Sequence, residues 1–192
     1  MVSGRWVMRD QIIDAALALF DRDGFNFKLD DLAKVLHISK KTIYKYFKNK
    51  EGIFRTVIIE SFDSTHEMQK KIFSDPTLTT EQKLIGILSS RSKYESRVSI
   101  EKTMDIRNYY PDLYVLIMKG YMSQWDRVDA LMKQGIKEQV FRADINVELV
   151  KTLLMDGMQM MHKDNLLRSS GLTYREAITQ LIAIVMDGIR VR

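Results

Sequence analysis

Residues 29–54 read LDDLAKVLHISKKTIYKYFKNKEGIF, and the spacing of their apolar residues decides what kind of fold the chain adopts. Leu29, Leu32, Val35 and Leu36 recur at helical spacing and face inward on one short helix. Asp30 and Asp31 fall in its first turn, where carboxylates complement the positive end of the helix dipole rather than form an acid–base pair. His37-Ile38-Ser39 then interrupts the pattern. Ser39 is a good N-cap for a new helix from Lys40. On that second helix Ile43 and Phe47, four apart, point into the core. Lys41, Tyr44, Lys45 and Lys48 run i, i+3, i+4, i+7 on the opposite side, with Lys40 leading. Over residues 37–54, Lys50 completes a group of five lysines against a single acid, Glu51. Solvated helix faces mix signs, so this stripe calls for an anionic partner.

Upstream, RDQIIDAALALFDRDGF sets Ile13, Ala16, Leu17 and Phe20 on one buried face, and Gly24 follows where a helix ends with positive φ. Two short helices joined by a tight turn, supported by a third and basic on the second, make a helix-turn-helix. Its second helix fits a major groove, with N-terminal side chains reaching base edges while neighbours hold phosphates. Tyrosine suits such a surface, because its hydroxyl bonds a phosphate oxygen while its ring packs.

In order and spacing, LFDRDGF followed by LDDLAKVLHISKKTIYKYFKNKEGIF resembles the DNA-binding domain of the tetracycline-repressor (TetR) family of bacterial transcription regulators, over residues 9 to 55. The resemblance implies an N-terminal three-helix domain, residues 1–55, and a larger helical ligand-binding and dimerisation domain, residues 56–192. It also implies a homodimer and a repressor that a ligand releases. Carried over by position, Lys40, Lys41, Thr42, Tyr44, Lys45 and Tyr46 fall on the recognition helix, Tyr44 on a phosphate-contacting tyrosine. Lys50 falls on a lysine that grips the backbone at the start of the following helix, and Lys48, beyond the base-reading end of the stripe, is expected to hold a phosphate as well. The family tends to place threonine or serine where this chain has Phe27-Lys28, so a cap is lost there and Lys28 offers a phosphate contact in exchange. His37 stands where the family mostly has glycine, which implies a positive φ there, and histidine tolerates that better than most non-glycine residues.

The rest of the chain is also helical. Only two prolines occur in 192 residues, no alternating strand pattern recurs, and the fold class expected is all-α. Phe54, Val57, Ile58 and Phe62 face inward on a helix from Glu51, which SDPTLTT breaks. Thr79 and Gln82 form a capping box for the next helix, as do Thr173 and Glu176 for the last. One long helix is expected over 112–139, and two more over 146–166 and 174–189. The absence of cysteine excludes disulfides and thiolate chemistry. Neither a membrane span nor the apolar core of a signal peptide is evident, so a cytoplasmic protein is expected. His37, His66 and His162 show no metal-ligand spacing, and no phosphate-binding loop or nucleophile elbow occurs. No catalytic residue, metal site or cofactor is expected.

A net charge of +5 agrees with an anionic partner, here double-stranded DNA. Twelve methionines, several beside aromatics, make an adaptable lining. The candidates for an effector pocket are Tyr110, Tyr114, Met118, Tyr121, Trp125, Met158 and His162, although such residues also fill ordinary cores. Glycine inside a helix costs about 1 kcal/mol relative to alanine, so Gly157 and Gly188 point to close helix approach, and the resemblance implies that the last two helices, with Leu153, Gly157, Met161, Ile178, Leu181, Val185 and Gly188, pair with their symmetry mates as the dimer contact. The function expected is a ligand-released homodimeric repressor on a palindromic operator. Docking on an anionic membrane fits less well, because interfacial helices carry larger apolar faces than Ile43 and Phe47 provide. Action through protein partners alone would leave the lysine stripe without a purpose.

Overall fold

Helix α1 (Gly4–Asp23) ends where Gly24 takes a φ of 62°, and a single 3-10 turn over Gly24–Asn26 leads to α2 (Leu29–Val35). The computed structural model describes residues 4–97, 103, 105–123, 125–161 and 166–191. Among these, α3 (Lys40–Tyr44) and α4 (Lys50–Ser74) complete the N-terminal part. Then follow α5 (Thr80–Leu88), α6 (Ile106–Tyr109), α7 (Pro111–Met122), α8 (Trp125–Lys137), α9 (Val147–Met160), α10 (Leu166–Ser170) and α11 (Tyr174–Ile189). The described residues contain no strand beyond one isolated bridge between Phe141 and Arg190, and the protein is all-α.

Two compact units divide the chain, one of residues 1–63 with 92–118, the other of 64–91 with 119–192. The first is built on the apolar faces of α1 and α3. Ile12, Ile13, Ala16, Phe20, Leu32, Ile43, Phe47 and Phe54 are buried together with Tyr94, Ile106 and Leu113 from the later segment. Aromatic edges interlock within it: Phe25 lies 4.7 Å from Phe20, 5.0 Å from Phe54 and 5.7 Å from Tyr110. Polar contacts join the same two segments. Glu60 of α4 accepts from Arg9, Lys93 and Tyr94, Asp14 accepts from Arg97, and the Tyr109 hydroxyl donates to Asn26. Burial alone would raise the Glu60 pKa; the hydrogen bonds from Tyr94, Arg9 and Lys93 outweigh it and hold the carboxyl below its ordinary value.

The second unit buries Leu84, Ile87, Val128, Leu131, Met132, Leu154, Ile178, Ile182 and Met186 in a separate core. Gly135 of α8 lies so close to the buried Phe141 ring that a Cβ there would meet Phe141 Cδ2 at 2.1 Å. Both capping boxes form: Thr79 N donates to Gln82 Oε1 at 2.9 Å and Thr173 N to Glu176 Oε2 at 2.8 Å.

Three local expectations change. Val35 is half exposed rather than inward, because α2 ends at that residue and the chain turns away. The single helix expected over 112–139 is two, α7 and α8. Ser123 stands in a turn between them, its hydroxyl donating to Gly120 O at 2.9 Å, a side-chain bond that competes with helix continuation. The helix expected over 146–166 ends at Met160.

Candidate nucleic-acid interface

The turn between α2 and α3 closes as a Schellman motif. Ile38 N donates to Ala33 O at 3.0 Å and His37 N to Lys34 O at 3.2 Å, while His37 takes a φ of 52°. Histidine therefore does what the sequence pattern asks of glycine, in a left-handed conformation. Ser39 then caps α3 by accepting from Thr42 N at 3.1 Å. At the start of α2 no side chain replaces the missing hydroxyl, but Asp31 Oδ2 accepts from Lys28 N at 2.8 Å and satisfies an N-terminal donor.

These caps fix the pitch of α3, and its burial fixes the roll. Ile43 is fully buried and Phe47, just past the helix, nearly so. Lys40, Lys41, Tyr44 and Lys45 are consequently exposed on the outer side, Tyr44 by 54%. Lys41 and Lys45 make no ion pair among the described residues. Lys40 does: its Nζ lies 2.9 Å from Asp30 Oδ1 at the start of α2. The hydrogen bond to Asp30 is the main reason its pKa is raised. Thr42 is half-buried, and its hydroxyl meets Ser39 Oγ at 3.0 Å.

Other residues of the expected set stand differently. The helix ends at Tyr44, so Lys48 is not a fourth rung on it; Lys48 lies exposed in the bend before α4. Tyr46 is also beyond the helix, half-buried and packed on the first core. Lys28 is exposed at the start of α2.

Lys50 departs furthest from a phosphate grip. Its Nζ donates to Phe25 O and Phe27 O, both at 2.7 Å, and sits 4.7 Å above the Phe27 ring. Burial lowers its pKa. Both carbonyls belong to the connection between α1 and α2, so Lys50 ties that connection to the start of α4. Three residues that the pattern did not assign to these roles thus matter here: Asp30, through Lys40, and Phe25 and Phe27, through their carbonyls. The first was legible as a charge ten residues before a lysine; the other two carry no sequence signal, because any residue has a carbonyl.

Of the seven residues expected around an effector, the six described do not share one cluster. Tyr110 and Tyr114 pack on the first core, Trp125 and Met158 on the second, and Met118 is half-buried. Tyr121 is 40% exposed, and His162 lies outside the described residues. Of the residues expected at the dimer contact, Leu153 and Gly188 are exposed, and Leu181 and Val185 half-buried. Met161, just past α9, and Ile178 of α11 are instead buried in the second core of the protomer. Gly157 approaches within the chain: a Cβ there would meet Leu181 Cδ2 at 2.8 Å. A Cβ on Gly188 would meet nothing within 4 Å.

Among the described residues no three His, Asp or Glu side chains gather as for a metal ion, and no helix is long and apolar enough to cross a membrane. Residues 12–57 match the family model described as bacterial regulatory proteins, tetR family. The chain is 20% identical to the HTH-type transcriptional regulator YvaF of Bacillus subtilis (strain 168), over 95% of each protein. It is 39% identical to IcaR of Staphylococcus epidermidis, the negative transcriptional regulator of the biofilm operon icaADBC, over 29% of this chain and 31% of IcaR. A crystal structure of a Saccharomonospora viridis protein in complex with choline shares the fold with a TM-score of 0.74 at 19% identity, over 96% of this chain and 98% of that one. The family match spans the whole helix-turn-helix, and similarity to transcription regulators continues through the rest of the chain; the protein belongs to the TetR family of DNA-binding transcriptional regulators.

Proposed function

We propose that the chain works as a homodimeric repressor that holds a palindromic operator through two copies of α3 and lets go when a small molecule binds. The observation that carries this reading is the outer side of α3, where Lys41, Tyr44 and Lys45 are exposed while Ile43 anchors the helix from behind. On this reading residues 1–55 carry the DNA contacts and residues 56–192 regulation and dimerisation. Lys40, Lys41 and Thr42 stand at the end of α3 that reaches base edges, with Asp30 holding Lys40 in register. Tyr44, Lys45, Lys48 and Lys28 meet phosphates. The dimer contact uses Leu153, Leu181, Val185 and Gly188, joined by the exposed Leu149 and Ile184, with Gly157 in support from within the chain. An effector binds the body, and Trp125 and Met158 are the expected residues that lie against its core. The protein acts in the cytoplasm, where its DNA is.

Selection of bound duplexes from a random pool tests the central part. A recovered palindrome with half-sites about one helical turn or more apart is the expected result. Its affinity should fall steeply with salt, because each phosphate contact releases condensed counterions. Recovery of no preferred sequence, or binding indifferent to salt, would sink the proposal.

A further inference from the structure

Gln69 sits on α4 within the second unit, and only 2% of it is exposed. Its Nε2 donates to Ile87 O, near the end of α5, at a long 3.4 Å. Its Oε1 has no hydrogen-bond partner among the described residues. Rotating the amide by half a turn does not help, because it would aim Oε1 at the Ile87 carbonyl, acceptor against acceptor. Thr65, one turn earlier on the same face of α4, is buried as well. The other buried polar residue, Thr80, is satisfied by donating to Glu138 Oε2 at 2.5 Å. Polar side chains therefore replace apolar ones on a face whose neighbours, Ile72 and Phe73, pack into the second core. A buried acceptor without a donor destabilises a fold, and each such group needs a reason.

We propose that Gln69 Oε1 is the polar anchor for an apolar effector that carries a hydrogen-bond donor, a hydroxyl or an amide N–H, bound between α4 and the end of α5. The proposal rests on the reading of the protein as ligand-released and adds the chemistry of the ligand. An acceptor-only molecule of the same shape, such as an ether or ketone, brings oxygen against oxygen and binds worse. An anion is excluded for the same reason. The oxygen is sealed in the free chain, so the effector enters by displacing apolar side chains above it, a minor conformation that binding makes dominant.

Two isomers, 1-hexanol and methyl pentyl ether, isolate the donor. Titrated into the full chain and followed by melting temperature, the alcohol should bind about tenfold tighter than the ether, the usual return on one added hydrogen bond. Gln69→Met and Gln69→Leu, which remove the orphan acceptor, should raise the melting temperature of the free chain and abolish the preference for the alcohol. An equal preference in parent and variants, no donor preference in the parent, or a lower melting temperature in both variants would overturn the anchor. Duplex binding measured alongside separates the two readings. Alcohol that binds through Gln69 yet leaves DNA affinity unchanged overturns ligand release and leaves the site standing. Release that persists in both variants does the reverse.

Discussion

Lys48 and Lys50 are two residues apart and alike in sequence, yet the fold gives them different work. Lys48 is exposed and makes no ion pair among the described residues, whereas Lys50 donates to two carbonyls beneath the surface. Lys48→Ala should weaken binding to all duplexes alike and flatten the salt slope by about one unit. Lys50→Ala should leave the slope as it is and destabilise the head by about 1–3 kcal/mol, the loss expected for hydrogen bonds to a charged group. Salt titrations and thermal melts of the two variants side by side check both statements; equal slope changes would return Lys50 to the phosphate. Glu60 gives the pH dependence. Its folded pKa is depressed, so the carboxylate contributes stability above the unfolded value, about 4.3, and loses it as pH falls through the lower folded value. Glu60→Gln should therefore cost about 1 kcal/mol at neutral pH and make acid unfolding less steep, read from melts between pH 2 and 7 on the order of one unit apart. A parallel pair of melting curves would remove Glu60 from the account.

At the scale of elements, two glycines that look equivalent in sequence are not. Gly157 lets α9 approach Leu181 of α11 inside the chain, while Gly188 faces open space in the protomer. Gly157→Leu should strain the α9–α11 contact and cost about 1–3 kcal/mol of fold stability, as overfilling a packed site does. Gly188→Leu should leave the protomer folded with its helicity unchanged and, if two copies meet there, shift the chain to monomer. Sedimentation together with far-UV circular dichroism separates the outcomes. A Gly188→Leu variant that remains dimeric would move the contact elsewhere. Helix α3 makes the complementary point. With five residues it is too short to hold its shape alone, and the Schellman turn at His37, the Ser39 cap and the burial of Ile43 set it in place.

For the whole molecule, the core of the DNA-binding head is not confined to its own stretch of chain. Tyr94, Ile106 and Leu113 are buried in it, and Glu60, Asp14 and Asn26 take hydrogen bonds from Lys93 and Tyr94, Arg97 and Tyr109. A fragment of residues 1–63 gives up three buried side chains, worth on the order of 1.5–3 kcal/mol each. Against a total stability of about 5–15 kcal/mol for a domain, that loss is decisive. The fragment should melt far below the full chain and exchange its amide protons rapidly; a fragment as stable as the full chain would show that the later segment is only a lid on a finished core.

Local chemistry along the chain suffices for the helices and their punctuation. Caps at Ser39, Thr79 and Thr173, the positive φ at Gly24 and His37, and the inward faces of α1 and α3 follow from local chemistry, which spacing displays directly. The sequence also determined the family, because the motif from α1 to α4 is contiguous. Tertiary structure decided what spacing leaves degenerate. An apolar stripe does not say whether its cover is the same chain or another, which is why Met161 and Ile178 proved to be core. A lysine does not say whether a carbonyl waits for it, as Phe25 and Phe27 do for Lys50. A lone glutamine in a helix shows its unpaired oxygen only when α5 closes over it, since burial and partners depend on residues distant along the chain.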